Sequence, residues 1–333
     1  MNVRTWISRR SLALLMAGGI GALAVFPSAA AENYPSRSIT MIVPFAAGGP
    51  TDTVARVLAQ ALGKNLGQTI IIENLGGAGG TLAAARAAKA APDGYTIFVN
   101  HLGQATAPAL YKKLPYDPIG DFAPIGLATD ATMVMVARTD VPAATLGELI
   151  DYVKKNKDTI SMGHAGIGAA SHLCEMLFMS AIDTELTLVA YRGTAPAMTD
   201  LLGGQIQLIC DQATSAISNI KAGKVKAYTV TTPTRIASLP DVPTSVEGGL
   251  SELQVSVWHG LYAPKGTPKP VIDRLVTALQ ASLEDAALKA RFADLATEPV
   301  SKDRATPEAL AALLRAETDK WGPIIKKAGV YGE

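Results

Sequence analysis

The stretch ITMIVPFAAGGPTD at residues 39–52 decides the fold of this chain. It opens with a short apolar run rich in β-branched residues, which predicts a buried strand. Pro44 ends the strand because it has no N–H to donate, and a loop of small residues follows. Thr51 and Asp52 are N-cap candidates for a helix at about 53–66. The stretch therefore predicts a strand, a glycine loop and a helix N-terminus in succession.

This glycine loop predicts an anion site. The backbone N–H groups at the start of a helix are free and lie at the positive end of the helix dipole, where they attract a carboxylate or a phosphate. The alternative is an ordinary βα turn in which the glycines only relax the backbone. No Gly-Lys-Ser/Thr follows the loop, and it is not a G-x-G-x-x-G motif, so the sequence does not indicate a nucleotide.

The composition excludes several classes of protein. The chain has 333 residues, of which 48% are apolar and 18% charged, so it can form one large domain or two smaller ones, and disorder is excluded. Its formal net charge of +1 lacks the basic excess of a nucleic-acid-binding protein. Aromatic residues at 5% offer few stacking surfaces for bases. We therefore expect no nucleic-acid partner.

The first 31 residues have the organisation of a signal peptide. Arginines precede an apolar stretch at 11–26, and a run of small residues ends at Ala31 in an A-x-A-like cleavage site. The apolar stretch is short for a transmembrane helix, and a retained anchor is the alternative. Residues 8–12 also resemble a twin-arginine signal, so export uses that route or the Sec route. We expect removal of residues 1–31 and a mature protein in the periplasm.

Predicted strands and helices alternate along the next part of the chain. Strands at 69–73 and 95–100 follow the opening strand, and a second glycine loop at 74–81 and an alanine-rich helix at 82–91 lie between them. This β-α-β-α-β order predicts a parallel sheet. Two further apolar segments follow, at 122–127 and 132–137.

A similar unit follows a boundary at 138–142. Thr145 is the expected N-cap of a helix at 146–155, with Glu148 completing a capping box. Strands then alternate with helices, and we expect them at 159–162, 185–191, 205–211 and 226–231. A strand at 255–264 returns to the first unit, and the last helices, at 268–287 and 307–328, are expected to pack there, with Pro323 kinking or interrupting the second of them.

This order predicts an α/β fold with two domains and two crossings of the chain between them. Domain 1 comprises residues 32–137 plus 255–333, and domain 2 comprises residues 138–254. Both domains place glycine loops at the carboxyl ends of strands, where ligands bind in open α/β sheets. We therefore expect a ligand cleft between the domains, with a hinge at the crossings.

The two cysteines, Cys174 and Cys210, lie far apart and show no C-x-x-C spacing. This spacing argues against a metal site or a redox dithiol. Two separately buried thiols are the simpler expectation, and an exported compartment also permits a disulfide between them.

Few side chains in the sequence suggest catalysis. No G-x-S-x-G pattern occurs, and no histidine lies in H-E-x-x-H. His101 ends a strand and His172 follows a glycine loop, so each is a candidate ligand donor or a hydrogen-bonded structural histidine. Asp211 ends a strand and is a candidate base, a selector for a donor group on the ligand, or a loop cap. Arg192 either binds a carboxylate or faces solvent. The sequence indicates binding without turnover, and we expect neither a metal nor a cofactor.

Short motifs spread over the whole mature chain form a specific set in this order: YPSRSITMIVPFAAGGPTD, ENLGGAGG, APDGYTIFV, LYKKLPYDP, DFAPIG, GIGAASHL, AYRGTAPAMTDLLGGQI, CDQ, IKAGKVKAYTVTT, LPDVPTSVEGG and WHGLYAPKGTPKPVIDRL. With them, the chain from Tyr34 onward resembles the TctC/Bug family, the periplasmic solute-binding receptors of tripartite tricarboxylate transporters. The resemblance implies a periplasmic-binding-protein (Venus flytrap) fold, whose two α/β domains close on a small carboxylate.

The resemblance also implies where the ligand binds. In the family, backbone amides and ordered waters hold one carboxylate of the ligand, and loops of both domains take part. The matching loops here are 45–52, 166–170 and 191–194. Together with the side chains named above, they give the candidate ligand-binding residues Phe45, Ala46, Ala47, Gly48, Gly49, Thr51, Asp52, His101, Gly166, Gly168, Ala169, Ala170, His172, Tyr191, Arg192, Gly193, Thr194 and Asp211.

Three departures from the family pattern affect the ligand more than the fold. The family often has G-x-G-S where this chain has Gly168 and Ala169, so a serine hydroxyl that helps to hold the distal end of the ligand is missing. ENRPGAGG is common where this chain has ENLGGAGG, which we interpret as structural. His259 takes a place often occupied by an aromatic residue. The carboxylate clamp is therefore expected here, and the identity of the ligand stays open.

These observations predict a receptor and not an enzyme. We expect it to capture an organic acid, an aliphatic or aromatic dicarboxylate, and to deliver it as a monomer to the membrane subunits of a tripartite tricarboxylate-type transporter. The alternatives are a ligand-sensing subunit of a signalling system and an exported hydrolase.

Overall fold

The computed structural model of this protein describes residues 33–332, and the predicted signal peptide at 1–31 lies outside them. Among the described residues, no helix is long and apolar enough to cross a membrane. The strands are β1 (Ile39–Val43), β2 (Ile70–Asn74), β3 (Thr96–Asn100), β4 (Phe122–Arg138), β5 (Ser161–His164), β6 (Thr187–Ala190), β7 (Leu208–Gln212), β8 (Val225–Val230), β9 (Ser256–Pro264) and β10 (Thr297–Pro299). The helices are α1 (Pro50–Leu66), α2 (Thr81–Ala88), α3 (Gly103–Leu110), α4 (Leu146–Lys155), α5 (Ala170–Ala181), α6 (Thr194–Leu202), α7 (Ala213–Lys221), α8 (Lys269–Leu283), α9 (Ala286–Asp294) and α10 (Pro307–Ala328).

The strands form two groups that share the long strand β4. In the first group β1 is parallel to β2 and β3, as predicted, and β9 lies antiparallel between β3 and β4. Residues 122–132 of β4 pair with β9, whereas residues 133–138 pair with β7 and β8. In the second group β5 is parallel to β6 and β7. The chain therefore passes from one group to the other inside β4.

The helices complete two lobes around these groups. Helices α8 and α9 pack on α1, and α10 packs on α3 and β4, so the predicted return of the C-terminal helices to the first unit is confirmed. Lobe 1 denotes β1–β3, β9, β10, residues 122–132 of β4, and helices α1–α3 and α8–α10. Lobe 2 denotes residues 133–138 of β4, β5–β8 and helices α4–α7. The second connection between the lobes runs from the end of β8 to the start of β9.

The predicted division into residues 32–137 plus 255–333 and residues 138–254 stays a prediction. Strand pairing suggests one adjustment to it, because the partners of β4 change between Thr132 and Met133. The first crossing would then lie inside a continuous strand and not in the loop that follows it.

Several predicted elements have different bounds in the structure. The segments 122–127 and 132–137 form one strand of 17 residues, β4, because its two halves find different partners. Helix α3 was not predicted, since Gly103 and Pro108 both have low helix propensity. The helix predicted at 268–287 ends at Leu283, and the unpredicted α9 and β10 follow.

The last helix, α10, continues through Pro323. We expected a kink or an interruption there. One face of α10 instead remains packed on the core on both sides of the proline, through buried Leu310, Leu314, Trp321 and Ile325. Tertiary packing of an apolar face therefore outweighs the loss of one helical hydrogen bond.

A disulfide joins Cys174 of α5 to Cys210 of β7. The expectation of two separate thiols was wrong, because α5 packs directly on β7 and brings the two Cα atoms to 6.1 Å, within the range of a disulfide. The bond fixes α5 against β7, the strand that contains Asp211.

Candidate ligand-binding site

The opening loop leads into α1 three residues earlier than predicted. Helix α1 begins at Pro50 with Gly49 as its N-cap, so Thr51 and Asp52 lie in the first turn and the prediction that they cap the helix was wrong. Proline suits the first position of a helix because that position needs no N–H. Thr51 and Asp52 are both buried.

Asp52 holds the glycine loop in shape. Its carboxylate accepts hydrogen bonds from the backbone N–H of Gly48 (2.8 Å), from Arg56 Nε (2.9 Å) and from Asn74 Nδ2 (2.9 Å). Burial opposes its ionisation, but these hydrogen bonds outweigh burial and lower the pKa of Asp52. Asp52 is therefore an ionised group that is fully engaged within the loop and does not line the cavity described next.

A small cavity of about 20 Å³ lies between the two lobes. A volume of this size admits about one water molecule, so an organic acid can enter only when the lobes move apart. The lining residues are Phe45, Pro50, Thr51, His101, Met133, Ala165, Ala169, Ala170, Ser171, Thr194, Asp211 and Gln212. No lysine or arginine is among these described residues.

Four helices begin at this cavity. They are α1 from lobe 1 and α5, α6 and α7 from lobe 2, and none of them has a side-chain cap. Of the described helices whose first residues do not line the cavity, α4, α9 and α10 are capped by Thr145, Asp285 and Thr306, whereas α2, α3 and α8 also lack a side-chain cap. The first N–H groups of a helix have no partner within it. The cavity therefore lies at the positive ends of four helix dipoles, which favour an anion.

Direct hydrogen bonds connect the lobes around the cavity. The Ala46 N–H donates to the carbonyl of Arg192 (2.9 Å), and the Thr106 hydroxyl donates to the carbonyl of Gly168 (3.0 Å). The Tyr111 hydroxyl donates to the carbonyl of Ile167 (2.9 Å). These contacts place the predicted loops of the two lobes against each other in a closed arrangement.

The second glycine loop, at 74–81, serves this contact. A Cβ atom at Gly79 would lie 1.9 Å from the carbonyl oxygen of Ile167, and one at Gly76 would lie 2.5 Å from that of Arg192. A side chain at either position would therefore force the lobes apart. The sequence identified this loop as glycine-rich but gave no reason for it.

All four histidines of the chain are buried and form two pairs near the cavity. The ring centroids of His101 and His259 in lobe 1 are 6.0 Å apart, and those of His164 and His172 in lobe 2 are 4.7 Å apart. Burial lowers the pKa of His101 to about 4 and, with the neighbouring histidine of each pair, the pKa of His172 and of His259 to about 3. At neutral pH these imidazoles are uncharged and do not help to attract an anion.

Three of the histidines also fix the loops. Nδ1 of His101 accepts a hydrogen bond from the Gly103 N–H (2.9 Å), and Nδ1 of His164 accepts one from the Gly166 N–H (3.1 Å). Nδ1 of His172 accepts one from the Gly168 N–H (3.3 Å). Their proton is therefore on Nε2. His101 stacks on Phe45, with ring centroids 4.8 Å apart, and lines the cavity. His172 does not line it, and its contacts are those of a structural histidine.

Asp211 lines the cavity from lobe 2. Its carboxylate accepts hydrogen bonds from the Gln212 N–H (2.8 Å) and from Ser215 Oγ (2.6 Å). Burial raises its pKa, and these donors, with the adjacent Thr194 hydroxyl, counteract part of the rise. Within the described residues, Gln212 Oε1 is buried without a hydrogen-bond partner, and Thr194 Oγ1 makes no hydrogen bond of regular geometry although it lies beside Asp211.

The candidate residues fall into three groups. Those that line the cavity are Phe45, Thr51, His101, Ala169, Ala170, Thr194 and Asp211. An outer groove of about 980 Å³ between the lobes is lined by Ala46, Gly166, Tyr191 and Arg192. The others belong to the loops that shape the site, and they are Ala47, Gly48, Gly49, Asp52, Gly168, His172 and Gly193. Their direct role in binding a ligand stays a prediction.

Sequence reasoning missed five lining residues, namely Pro50, Met133, Ala165, Ser171 and Gln212. Four of these are next to a predicted residue in the chain, and Ala165 or Ser171 could have been found by extending the loop at 166–170 by one residue. Met133 gives no such signal, because it lies within β4 and reaches the cavity only through the crossing between the lobes.

Comparison with known proteins agrees with this architecture. A family model described as the tripartite tricarboxylate transporter family receptor matches residues 54–330. The UPF0065 protein in the TAR-I ttuE-ttuC' intergenic region of Agrobacterium vitis is 50% identical over 300 residues, which are 90% of this chain and 87% of that protein.

Solved structures show the same fold. The structure of the periplasmic binding protein BugD is 50% identical with a TM-score of 0.88, and the match covers 90% of this chain and 100% of that one. MatC from Rhodopseudomonas palustris with bound malate is 41% identical with a TM-score of 0.85, and the match covers 88% and 100%. The predicted two-lobe α/β periplasmic-binding-protein fold is thus confirmed, and the chain belongs to the TctC/Bug family of periplasmic solute-binding receptors.

Proposed function

We propose that this protein is a periplasmic receptor that captures a small dicarboxylate between its two lobes and delivers it to the membrane subunits of a tripartite tricarboxylate-type transporter. The observation that carries the proposal is the meeting of four helix N-termini without side-chain caps at one closed cavity. A carboxylate needs hydrogen-bond donors when it leaves water, and these helix ends supply backbone N–H groups from both lobes.

The distribution of the helix ends favours two carboxylates over one. Helix α1 begins on the lobe 1 side of the cavity, and α5, α6 and α7 begin on the lobe 2 side. A dicarboxylate can therefore place one carboxylate at each side and stabilise the closed state. The malate bound to MatC, which is 41% identical to this chain, supports a ligand of this class.

The same geometry supports capture without turnover. The family is one of receptors, and the polar side chains at the cavity are engaged in holding loops or face the ligand space as hydrogen-bonding groups. The carboxylate is then released to the transporter when the lobes open, with ligand shifting the balance between open and closed states.

A thermal-shift screen of the mature protein tests the proposal. Mono-, di- and tricarboxylates and aromatic acids are added in turn to dialysed protein. A ligand at about a hundred times its Kd adds roughly 2.7 kcal/mol to stability, so dicarboxylates should raise Tm clearly. Titration calorimetry of each hit then gives its Kd. No rise with any carboxylate, for protein shown to be ligand-free by mass spectrometry, would contradict the proposed function.

A further inference from the structure

Thr51 and His259 meet at the lobe 1 wall of the cavity. Thr51 lines the cavity from the first turn of α1 and is 1% exposed. His259 lies in β9, is 0% exposed and does not line the cavity. Thr51 Oγ1 lies 3.3 Å from Nε2 of His259, whereas Nδ1 of His259 is buried without a hydrogen-bond partner among residues 33–332. The polar contact of this buried ring is therefore with a residue of the cavity wall.

The lobe 1 side of the cavity is poor in backbone donors. The start of a helix supplies free N–H groups, but α1 begins with Pro50, which has no N–H. The N–H of Thr53 already donates to the carbonyl of Gly49 (2.9 Å). A carboxylate that binds on this side therefore depends more strongly on side-chain donors, and the hydroxyl of Thr51 lies where it can supply one.

The tautomer of His259 decides whether this hydroxyl can donate. Burial and the neighbouring His101 lower the pKa of His259 to about 3, so at neutral pH its ring carries one proton, on Nε2 or on Nδ1. A proton on Nε2 is donated to Thr51 Oγ1 and leaves an acceptor without a partner. A proton on Nδ1 would leave a buried N–H without an acceptor, which is the rarer situation in folded proteins. The surroundings of the ring therefore favour the proton on Nε2.

On the basis of the function proposed above, we propose that the Thr51 hydroxyl donates a hydrogen bond to the ligand carboxylate on the lobe 1 side, and that His259 is a positioning residue that keeps the hydroxyl proton directed into the cavity. Nε2–H of His259 occupies one lone pair of Thr51 Oγ1. The proton of the hydroxyl has no acceptor on that side and is free for the ligand. His259 thereby makes Thr51 a donor to an anion without contacting the ligand itself.

Titration calorimetry of Thr51 variants with malate, succinate and adipate tests the donor. Thr51→Val keeps the branched shape and removes the hydroxyl, so Kd should rise roughly 10- to 150-fold, as for one hydrogen bond to a charged group. Thr51→Ser keeps the hydroxyl and should bind nearly as the wild type does. The control is Thr267→Val, which removes another buried hydroxyl of lobe 1, bonded to the carbonyl of Pro264 (2.8 Å), and should keep the wild-type affinity.

A double-mutant cycle tests the positioning role of His259. His259→Phe keeps an aromatic ring and removes the donor to Thr51, so Kd should rise by a smaller factor than in Thr51→Val. In the Thr51→Val background the same change should leave Kd unaltered, because no hydroxyl remains to be directed. A merely structural role would weaken binding equally in both backgrounds. His259→Gln, whose amide can donate in place of Nε2–H, should restore most of the affinity.

Nuclear magnetic resonance of the ligand-free protein measures the tautomer directly. In protein labelled with nitrogen isotope in its histidines, long-range correlation to the ring protons distinguishes a protonated ring nitrogen from an unprotonated one. Loss of one set of signals in His259→Phe or His259→Gln identifies those of His259, so the measurement needs only one of the two variants to fold. We expect the proton on Nε2 at neutral pH, and a proton on Nδ1 would overturn the inference.

An unchanged Kd for Thr51→Val would also overturn it, as would equal effects of His259→Phe in the two backgrounds. Either result would leave the proposed function intact, because a dicarboxylate would still bind to the wild-type protein. Absence of binding by every carboxylate would instead contradict the proposed function, and the inference with it.

Discussion

Two acidic side chains are buried next to the disulfide of lobe 2, and their surroundings differ. Asp211 follows Cys210, and donors contact both of its oxygens. Glu175 follows Cys174, is 0% exposed, and has no hydrogen-bond partner for either oxygen among residues 33–332. Burial, together with the charge of Asp211, raises the pKa of Glu175 well above its ordinary value. At the residue scale, the ionised form of each acid is disfavoured by burial, and donors offset part of this cost for Asp211.

Glu175→Gln should stabilise the protein at neutral pH. The folded-state pKa of Glu175 lies above the ordinary value of 4.5. The contribution of protonated Glu175 to the free energy of unfolding is therefore fully present below about pH 4.5 and is lost as the pH rises through the folded-state pKa. Glutamine does not titrate and is free of this loss. The gain in free energy of unfolding should be near zero at about pH 4 and then grow with pH by at most about 1.4 kcal/mol per pH unit. Urea unfolding between pH 4 and pH 8 measures it.

The matched control is Glu185→Gln, which removes an exposed acid of the same lobe. Its free energy of unfolding should stay parallel to that of the wild type across the pH range, because the side chain is exposed and has no burial to overcome. A gain for Glu175→Gln that does not change with pH would show that the carboxylate is satisfied in the folded protein.

At the scale of elements, the four helix N-termini at the cavity are predicted to bind the ligand through backbone N–H groups. Ala170→Pro removes one such group at the first position of α5. Proline fits there, because Ala169 before it is extended (φ −66°, ψ 157°) and the first helical position needs no N–H for the helix itself. Loss of a hydrogen bond to a charged group costs about 1.5–3 kcal/mol, so dicarboxylate affinity should fall roughly 10- to 150-fold in titration calorimetry.

Ala286→Pro is the control for this change. Ala286 is exposed and occupies the first position of α9, after the extended residue Asp285, and the start of α9 does not line the cavity. Affinity for the dicarboxylate should be unchanged in this variant. Equal affinities of the two proline variants and the wild type would show that the start of α5 does not hold the ligand.

The elements were predicted from the sequence where the local signals agree with the tertiary environment. The opening strand and glycine loop and the Thr145 cap of α4 each depend on a few neighbouring residues. The sequence could not show that β4 is one strand, because its halves are defined by partners far along the chain. It also could not show that Asp52 faces the loop and Asp211 faces the cavity, since each lies where a strand or loop leads into a helix.

At the scale of the whole molecule, closure depends on two connections and a few contacts between the lobes. The connections are β4 between Thr132 and Met133 and the segment between β8 and β9. The contacts are the backbone hydrogen bond of Ala46 and the hydroxyl hydrogen bonds of Thr106 and Tyr111. Because the cavity is about 20 Å³ in the closed form, ligand entry and closure are coupled, and each contact adds to ligand affinity by favouring the closed state.

Tyr111→Phe should therefore weaken ligand binding although Tyr111 does not line the cavity. The variant loses the hydrogen bond to the carbonyl of Ile167, worth about 0.5–1.5 kcal/mol, so Kd should rise roughly 2- to 12-fold through faster dissociation. Tyr228→Phe is the control, since its hydroxyl makes a bond of the same length, 2.9 Å, to the carbonyl of Ala143 within lobe 2. That variant should lose stability and keep its affinity. Stopped-flow dissociation rates measure the effect on ligand release, and small-angle X-ray scattering of the ligand-free proteins measures the effect on closure. An unchanged Kd for Tyr111→Phe would show that closure does not depend on this contact.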